Sequence, residues 1–185
     1  MPAVFFYILL FNLLKLFDFP PLLLFGIMLD EYKETKIMKN DIKGEIKINI
    51  KSSVAKVWDA LTKPEIIKEY FFGTDTKTDW KIGSPIIFSG EWKGKSYQDK
   101  GIILSFEKNK LIKYSYWSSM SGIEDKPENY QIITYEISGS DGDVTLTLTQ
   151  ENIHDEKTKE HSLENWKKVL EGLKDVVEEK EVSIY

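Results

Sequence analysis

The sequence predicts an α+β fold in which a curved antiparallel β-sheet, with two short helices after its first strand, wraps around a long C-terminal α-helix. Three observations carry that expectation. Residues 45–51 (EIKINIK) alternate strictly between polar residues and isoleucine, the pattern of a half-buried strand. From Gly73 to Glu151 the apolar period stays near two and turn signals recur, so strand follows strand through short connections, which is antiparallel pairing. Leu163, Trp166, Leu170, Leu173 and Val177 then step by three and four residues, while Glu164, Lys167, Lys168, Glu171, Lys174, Asp175 and Glu178 occupy the opposite face. A sheet must bury its apolar face, and this helix is the one long element left to cover it.

Taken in order, the first strand places Ile46, Ile48 and Ile50 on one side. Ser52 or Ser53 then caps a helix in which Val54, Val57, Trp58 and Leu61 recur at helical spacing. Pro64 suits the first turn of a second short helix, PEIIKEYFF, because its missing amide would be unpaired there anyway. Gly83-Ser84-Pro85 precedes the strand IIFSGEW, Lys93-Gly94 forms a hairpin tip before SYQDKGIILSFE, and Asn109-Lys110 precedes LIKYSYW. A longer loop surrounds Lys126-Pro127-Glu128. Tyr130–Ile137 and Val144–Thr149 flank the six residues 138–143 (SGSDGD), which read as a hairpin loop. Residues 152–162 (NIHDEKTKEHS) read as a solvated polar loop leading into the last helix.

Two objects share this chain of 185 residues. Residues 1–29 carry only two charges, Lys15 and Asp18, and hold six of the ten phenylalanines. Residues 40–185 carry 21 lysines and 26 acidic residues, and with them the whole net charge of −5. The expected division is therefore an apolar leader plus polar connector over 1–39 and a folded domain over 40–185. Three readings of the leader stay open: a gene-start artefact with translation from Met28 or Met38, a membrane or interfacial anchor, or a segment packed on the domain. Asn12, Lys15, Asp18 and Pro20-Pro21 interrupt the run of about 20 apolar residues that a spanning helix needs, and no small-residue cleavage site follows it. A cytoplasmic location is expected, with membrane association if residues 1–27 are truly translated.

Composition removes several chemistries. Without cysteine there is no disulfide scaffold, thiol nucleophile or thiolate metal site. All 25 basic residues are lysine, so no guanidinium fork is available, and the acidic balance argues against nucleic acid as a partner. His154 and His161, seven residues apart in a polar stretch, lack helical metal-ligand spacing, so neither metal nor cofactor is expected. The GKS of residues 94–96 lacks the phosphate-loop glycine spacing and joins two strands. Ser53-Val54-Ala55-Lys56 is explained by a capping serine. Glu91 and Glu136 alternate with apolar neighbours and read as outward-facing; a carboxylate turned inward would be the one route to acid or base chemistry.

Aromatic richness is the positive signal. All five tryptophans fall in the domain. Half of such rings are ordinary core by expectation, and the rest suit the wall of an apolar cavity between sheet and helix. Tyr114, Tyr116 and Tyr135 share alternating faces with Ile112, Ile133 and Ile137 and so point inward; Trp166 and Leu170 close the other side, and Phe71 and Phe72 line the mouth. Trp58 and Phe88 complete the expected lining. Binding of a small apolar molecule, without catalysis, is the function this reading favours.

The string Val57-Trp58-Asp59-Ala60-Leu61-Thr62-Lys63-Pro64-Glu65, followed by Tyr70-Phe71-Phe72-Gly73, resembles the opening of the activator of ninety-kilodalton heat-shock protein ATPase homologues, a family of the START-like (SRPBCC) superfamily. Trp80-Lys81-Ile82-Gly83, Gly101–Leu104, Leu111–Trp117, Thr145–Thr149 and the closing Trp166, Leu170 and Leu173 extend the likeness over residues 45–179. Gln150 stands where many relatives show histidine, and Tyr70 where the opening often has tryptophan. The resemblance implies a helix-grip (START-like, Bet v-like) fold with a cavity for apolar ligands. It also implies two alternatives: association with a chaperone, and a cyclase- or hydrolase-like activity using an inward acid plus tyrosine. A homodimer is a further partner to test.

Overall fold

The structure is a computed structural model that describes residues 42–182, with side chains to residue 178. The expected leader, with its alternative start sites, lies outside the described residues. Seven strands form one antiparallel sheet: β1 (Gly44–Ile50), β2 (Asp75–Lys77), β3 (Pro85–Trp92), β4 (Lys95–Glu107), β5 (Leu111–Tyr116), β6 (Gln131–Ser140) and β7 (Asp143–Glu151). Their order is β1-β7-β6-β5-β4-β3-β2, a meander from β2 to β7 whose last strand pairs with the first. Helices α1 (Val54–Thr62) and α2 (Pro64–Tyr70) follow β1, and α3 (Glu156–Val182) closes the chain. This is a helix-grip α+β fold.

Local chemistry sets the boundaries. The Ser53 side chain accepts from the Lys56 amide at 3.2 Å and starts α1, whose buried face is Val57, Trp58, Ala60 and Leu61. Pro64 opens α2. Lys93 and Gly94, both at positive φ, make the two-residue tip of the β3–β4 hairpin, the geometry that matches strand twist.

Two boundaries differ from expectation. The β6–β7 hairpin is zipped through Ser140–Asp143, so its tip is Asp141-Gly142 and the six-residue loop does not exist. There Asp141 accepts from the Val54 amide at 2.9 Å and Gly142 donates to Ser52 at 2.8 Å, so the tip is held by the start of α1. Helix α3 begins at Glu156, well before Leu163, because the Asp155 carboxylate accepts from the Thr158 amide at 2.7 Å and caps the first turn. His161 therefore lies on the helix, not in a loop.

One face of the sheet and the buried sides of the helices form the core. Ile50, Ile86, Ile103, Ile112, Ile133, Leu146 and Leu148 from the strands meet Val57, Val169, Leu170, Leu173 and Val177. Each such side chain contributes about 1.5–3 kcal/mol on leaving water. Gly44 admits Leu163 of α3 against β1: a Cβ there would lie 2.8 Å from the Leu163 methyl. At the far end of α3, Lys174 donates to the Asn49 carbonyl at 2.8 Å and Glu178 accepts from the Lys51 amide at 2.7 Å. The helix is thus pinned along β1 at both ends.

Candidate functional site

Cross-strand register places one row of inward residues at a single end of the sheet. Thr76 is opposite Phe88, and Phe88 is opposite Asp99. Asp99 accepts from the Tyr116 hydroxyl at 2.6 Å, and Tyr116 is opposite Gln131. Gln131 accepts from the Gln150 amide at 2.7 Å. Gln150 in turn accepts from Ser162 at 2.6 Å and from the Trp166 indole at 3.0 Å, both on α3. A polar row thus crosses the sheet and ends on the helix, while the inward face beyond it is aliphatic and aromatic.

Aromatic rings cover this row. Phe71, at the end of α2, has its ring 6.0 Å from Phe88, 5.8 Å from Trp166 and 6.3 Å from Phe72. Phe72 meets Trp92 edge-on at 6.1 Å, and Phe88 meets Tyr116 at 6.1 Å. Phe72 has φ 51° and is 54% exposed, so a bulky residue is held in the left-handed region with its ring toward solvent. Two adjoining open grooves share Phe71, Phe72, Tyr116 and Asn165 as walls. One, about 240 Å³, runs toward Trp92, Tyr97 and Asp99; the other, about 260 Å³, runs along α3 to Gln131, Gln150 and Trp166. Together they form the mouth between sheet and helix.

Behind the mouth the interior is filled. The space among Tyr70, Phe71, Phe88, Tyr114 and Tyr135 is about 20 Å³, room for about one water and far too little for an organic ligand. Burial, then neighbouring tyrosines, pushes the Tyr70 and Tyr114 hydroxyls well above their usual range, and burial does the same to Tyr135. Tyr116 is raised too, by burial first and by Asp99 second, which keeps the phenol protonated as a donor to the carboxylate.

The residues expected to line a site therefore separate into three places. Phe71, Phe72, Phe88, Tyr116 and Trp166 meet at the mouth. Tyr114 and Tyr135 lie in the filled interior, and Leu170 is core at 1% exposure. Trp58 packs on Phe106 at 5.1 Å, which stacks on Trp80 at 5.5 Å, a ring cluster apart from the mouth's rings. Glu136 is exposed, as alternation implies, whereas the exposed Glu91 borders the groove at Trp92. Sequence reasoning missed Asp99, Tyr97, Trp92, Met120 and Asn165 as groove walls. For Asp99 a signal existed: it is two residues from Gly101 and four from Ile103, on the same inward alternation.

A third groove lies on the opposite face of the sheet. It measures about 590 Å³ and is lined by Pro85, Ile87, Ile102, Leu104, Pro127 and Tyr130 among others. At its rim Lys100 pairs with Asp125 at 2.5 Å, and Tyr130 donates to Asp125 at 2.8 Å. Lys100 and then Tyr130 lower the Asp125 carboxyl below its usual value. Among the described residues no group of three or more His, Asp or Glu side chains is placed to hold a metal, and no helix is long and apolar enough to cross a membrane.

Comparison with known proteins places this geometry. The family model described as "Activator of Hsp90 ATPase homolog 1-like protein" matches residues 51–178. The solution structure of a Cytophaga hutchinsonii protein, ChR145, is 44% identical with a TM-score of 0.68, covering 79% of this chain and 100% of that one. A Mesorhizobium loti protein shares 18% identity over 75% of this chain and 98% of its own, with a TM-score of 0.61. The Colwellia psychrerythraea protein described as an Aha1 dimer shares 19% over 74% and 96%, with a TM-score of 0.59. The latter two show a common fold. No curated protein matches. The chain belongs to the activator of Hsp90 ATPase homologue family, on a START-like helix-grip fold.

Proposed function

We propose that the domain, which we take to span residues 40–185, binds a small, largely apolar molecule at the mouth, and does so without catalysis. The observation that carries this is Phe72. A phenylalanine in the left-handed region costs about 1–2 kcal/mol relative to an ordinary backbone conformation. The strain places an exposed ring between Phe71 and Trp92 at the edge of a groove. Open concave space, several rings and a few polar side chains at its base are what an orienting site for an apolar ligand needs. In this reading the ligand sits at the rim rather than deep between sheet and α3, which the small space behind the mouth supports.

Replacing Phe72 by glycine separates fold from function. Relief of strain offsets lost ring contacts, so stability is expected to stay within about 1 kcal/mol of the parent. Affinity for a neutral naphthylamine dye, followed by its fluorescence, is expected to fall about tenfold, as for truncation of an aromatic anchor. Unchanged dye affinity in a folded variant contradicts the proposal.

A second reading, association with a chaperone of the ninety-kilodalton heat-shock class, is favoured by the family description and by the apolar outer groove at Ile87, Ile102 and Leu104. Chaperone ATPase rates with and without this chain test it; an unchanged rate counts against it. The Colwellia relative is described as a dimer, and a homodimer of this chain is checked by light scattering.

A further inference from the structure

We infer that the molecule held at the mouth carries a positive charge, an ammonium group on an apolar body, and that Asp99 receives it; this rests on the mouth being the binding site. Asp99 is 7% exposed, on the inward face of β4, and borders the groove beneath Phe88 and Tyr116. Four donors hold it, all neutral: the Tyr116 hydroxyl at 2.6 Å, the Ser118 hydroxyl at 3.1 Å, and the Ser119 amide and hydroxyl at 2.8 and 3.1 Å. The half-buried Asp59 and the exposed Asp75, Asp79 and Asp125 each pair with a lysine. The buried aspartate has no such partner among the described residues. A carboxylate taken out of water without a cation is costly, and the described residues do not supply one.

The remaining acceptor capacity points to the same ligand. Three of the four donors reach Oδ1, and only Tyr116 reaches Oδ2, which keeps a lone pair for another donor. Lysine makes up 25 of 185 residues, yet none lines this groove, whereas two carboxylates do, Asp99 and Glu91. Aromatic residues form much of its wall, and a ring face attracts cations. One of them already does so: the Lys93 ammonium lies 5.8 Å from the centre of the Trp92 ring. An anionic headgroup would meet two carboxylates and no cation inside the groove.

Three probes of one shape test this on the full chain: a phenylalkyl trimethylammonium, its uncharged tert-butyl isostere, and the matching phenylalkyl carboxylate. Binding is read by nuclear magnetic resonance titration at the Trp92 indole signal. The ammonium is expected to bind about tenfold more tightly than the neutral isostere, and the carboxylate more weakly than either. Added salt is expected to narrow the gap. Asp99→Asn is expected to abolish the preference, and Glu91→Gln, on the exposed rim, to halve it while leaving the fold intact. Because Asp99 also anchors Ser118 and Ser119, an unfolded Asp99→Asn leaves the decision to Glu91→Gln and to salt. Equal affinity for ammonium and isostere overturns the inference and leaves the apolar site standing. A preference that survives both substitutions, or that salt does not alter, overturns it as well. If none of the three probes binds, both readings fail.

Discussion

Gly101→Ala is expected to destabilise the domain by about 3 kcal/mol, the upper end of what over-packing costs. A Cβ on Gly101 would lie 1.5 Å from the Ser115 carbonyl oxygen and 2.6 Å from its carbonyl carbon. Neither partner can yield cheaply. Lys100 and Trp117 exchange backbone hydrogen bonds at 2.8 and 3.0 Å on one side, and Ile103 pairs with Tyr114 on the other. Between them the Ser115 hydroxyl accepts from the Ile102 amide at 3.0 Å. The methyl therefore has to push β4 from β5, and that displacement also separates Asp99 from Tyr116, two elements of the mouth. Urea denaturation is the measurement, and a midpoint unchanged from the parent contradicts the close approach of the two strands.

Trp166→Ala is expected to cost about 3–5 kcal/mol, the usual range for deleting a large buried ring. Trp166 is 8% exposed, packs on Phe71 at 5.8 Å and Tyr135 at 6.2 Å, and donates its indole hydrogen to Gln150. Its loss opens a cavity and leaves the Gln150 oxygen, on a residue only 3% exposed, with Ser162 as its one donor from α3. Trp166→Phe keeps most of the ring contact and removes the hydrogen bond, so its cost is expected near 1 kcal/mol. Equal costs for the two variants would mean that the hydrogen bond, not the packing, holds α3 to the sheet.

The periodic parts of the molecule were legible before any coordinates. Alternation placed Ile46 to Ile50, and the three-and-four spacing of Leu163 to Val177 placed the covering helix. The start of α3 was hidden because residues 156–162 are polar all round, and a solvated turn shows no apolar period; the cap at Asp155 was the only signal. At residues 138–143 Gly, Ser and Asp suggested a loop, but Gly139 pairs with Val144, at φ 95° and with a Cβ position only 2.3 Å from the Asp143 carbonyl oxygen, a place that glycine alone fits. Orientation was also readable, whereas position along the sheet was not. Alternation sets which way a side chain points, but not which ring it meets. Trp58 therefore joined Phe106 and Trp80 rather than Phe71, and Tyr114 filled the interior instead of walling it. Asp99 escaped because a charged residue inside the stretch SYQDKGIILSFE gives no sign of facing inward, and its burial depends on Phe88 and on the Ser118-Ser119 loop folding over it.

The five tryptophans report on separate regions, and their indole signals test the central claim in a single spectrum. Trp92 and Trp166 border the mouth. Trp58 and Trp80 belong to the cluster around Phe106, and Trp117 packs under Lys100 at the rim of the outer groove. Titrating a small neutral apolar probe into the full chain is predicted to shift Trp92 and Trp166 together, with the other three unmoved. A shift confined to Trp117, or to Trp58 and Trp80, with Trp92 and Trp166 unchanged, would contradict the assignment of the binding site to the mouth.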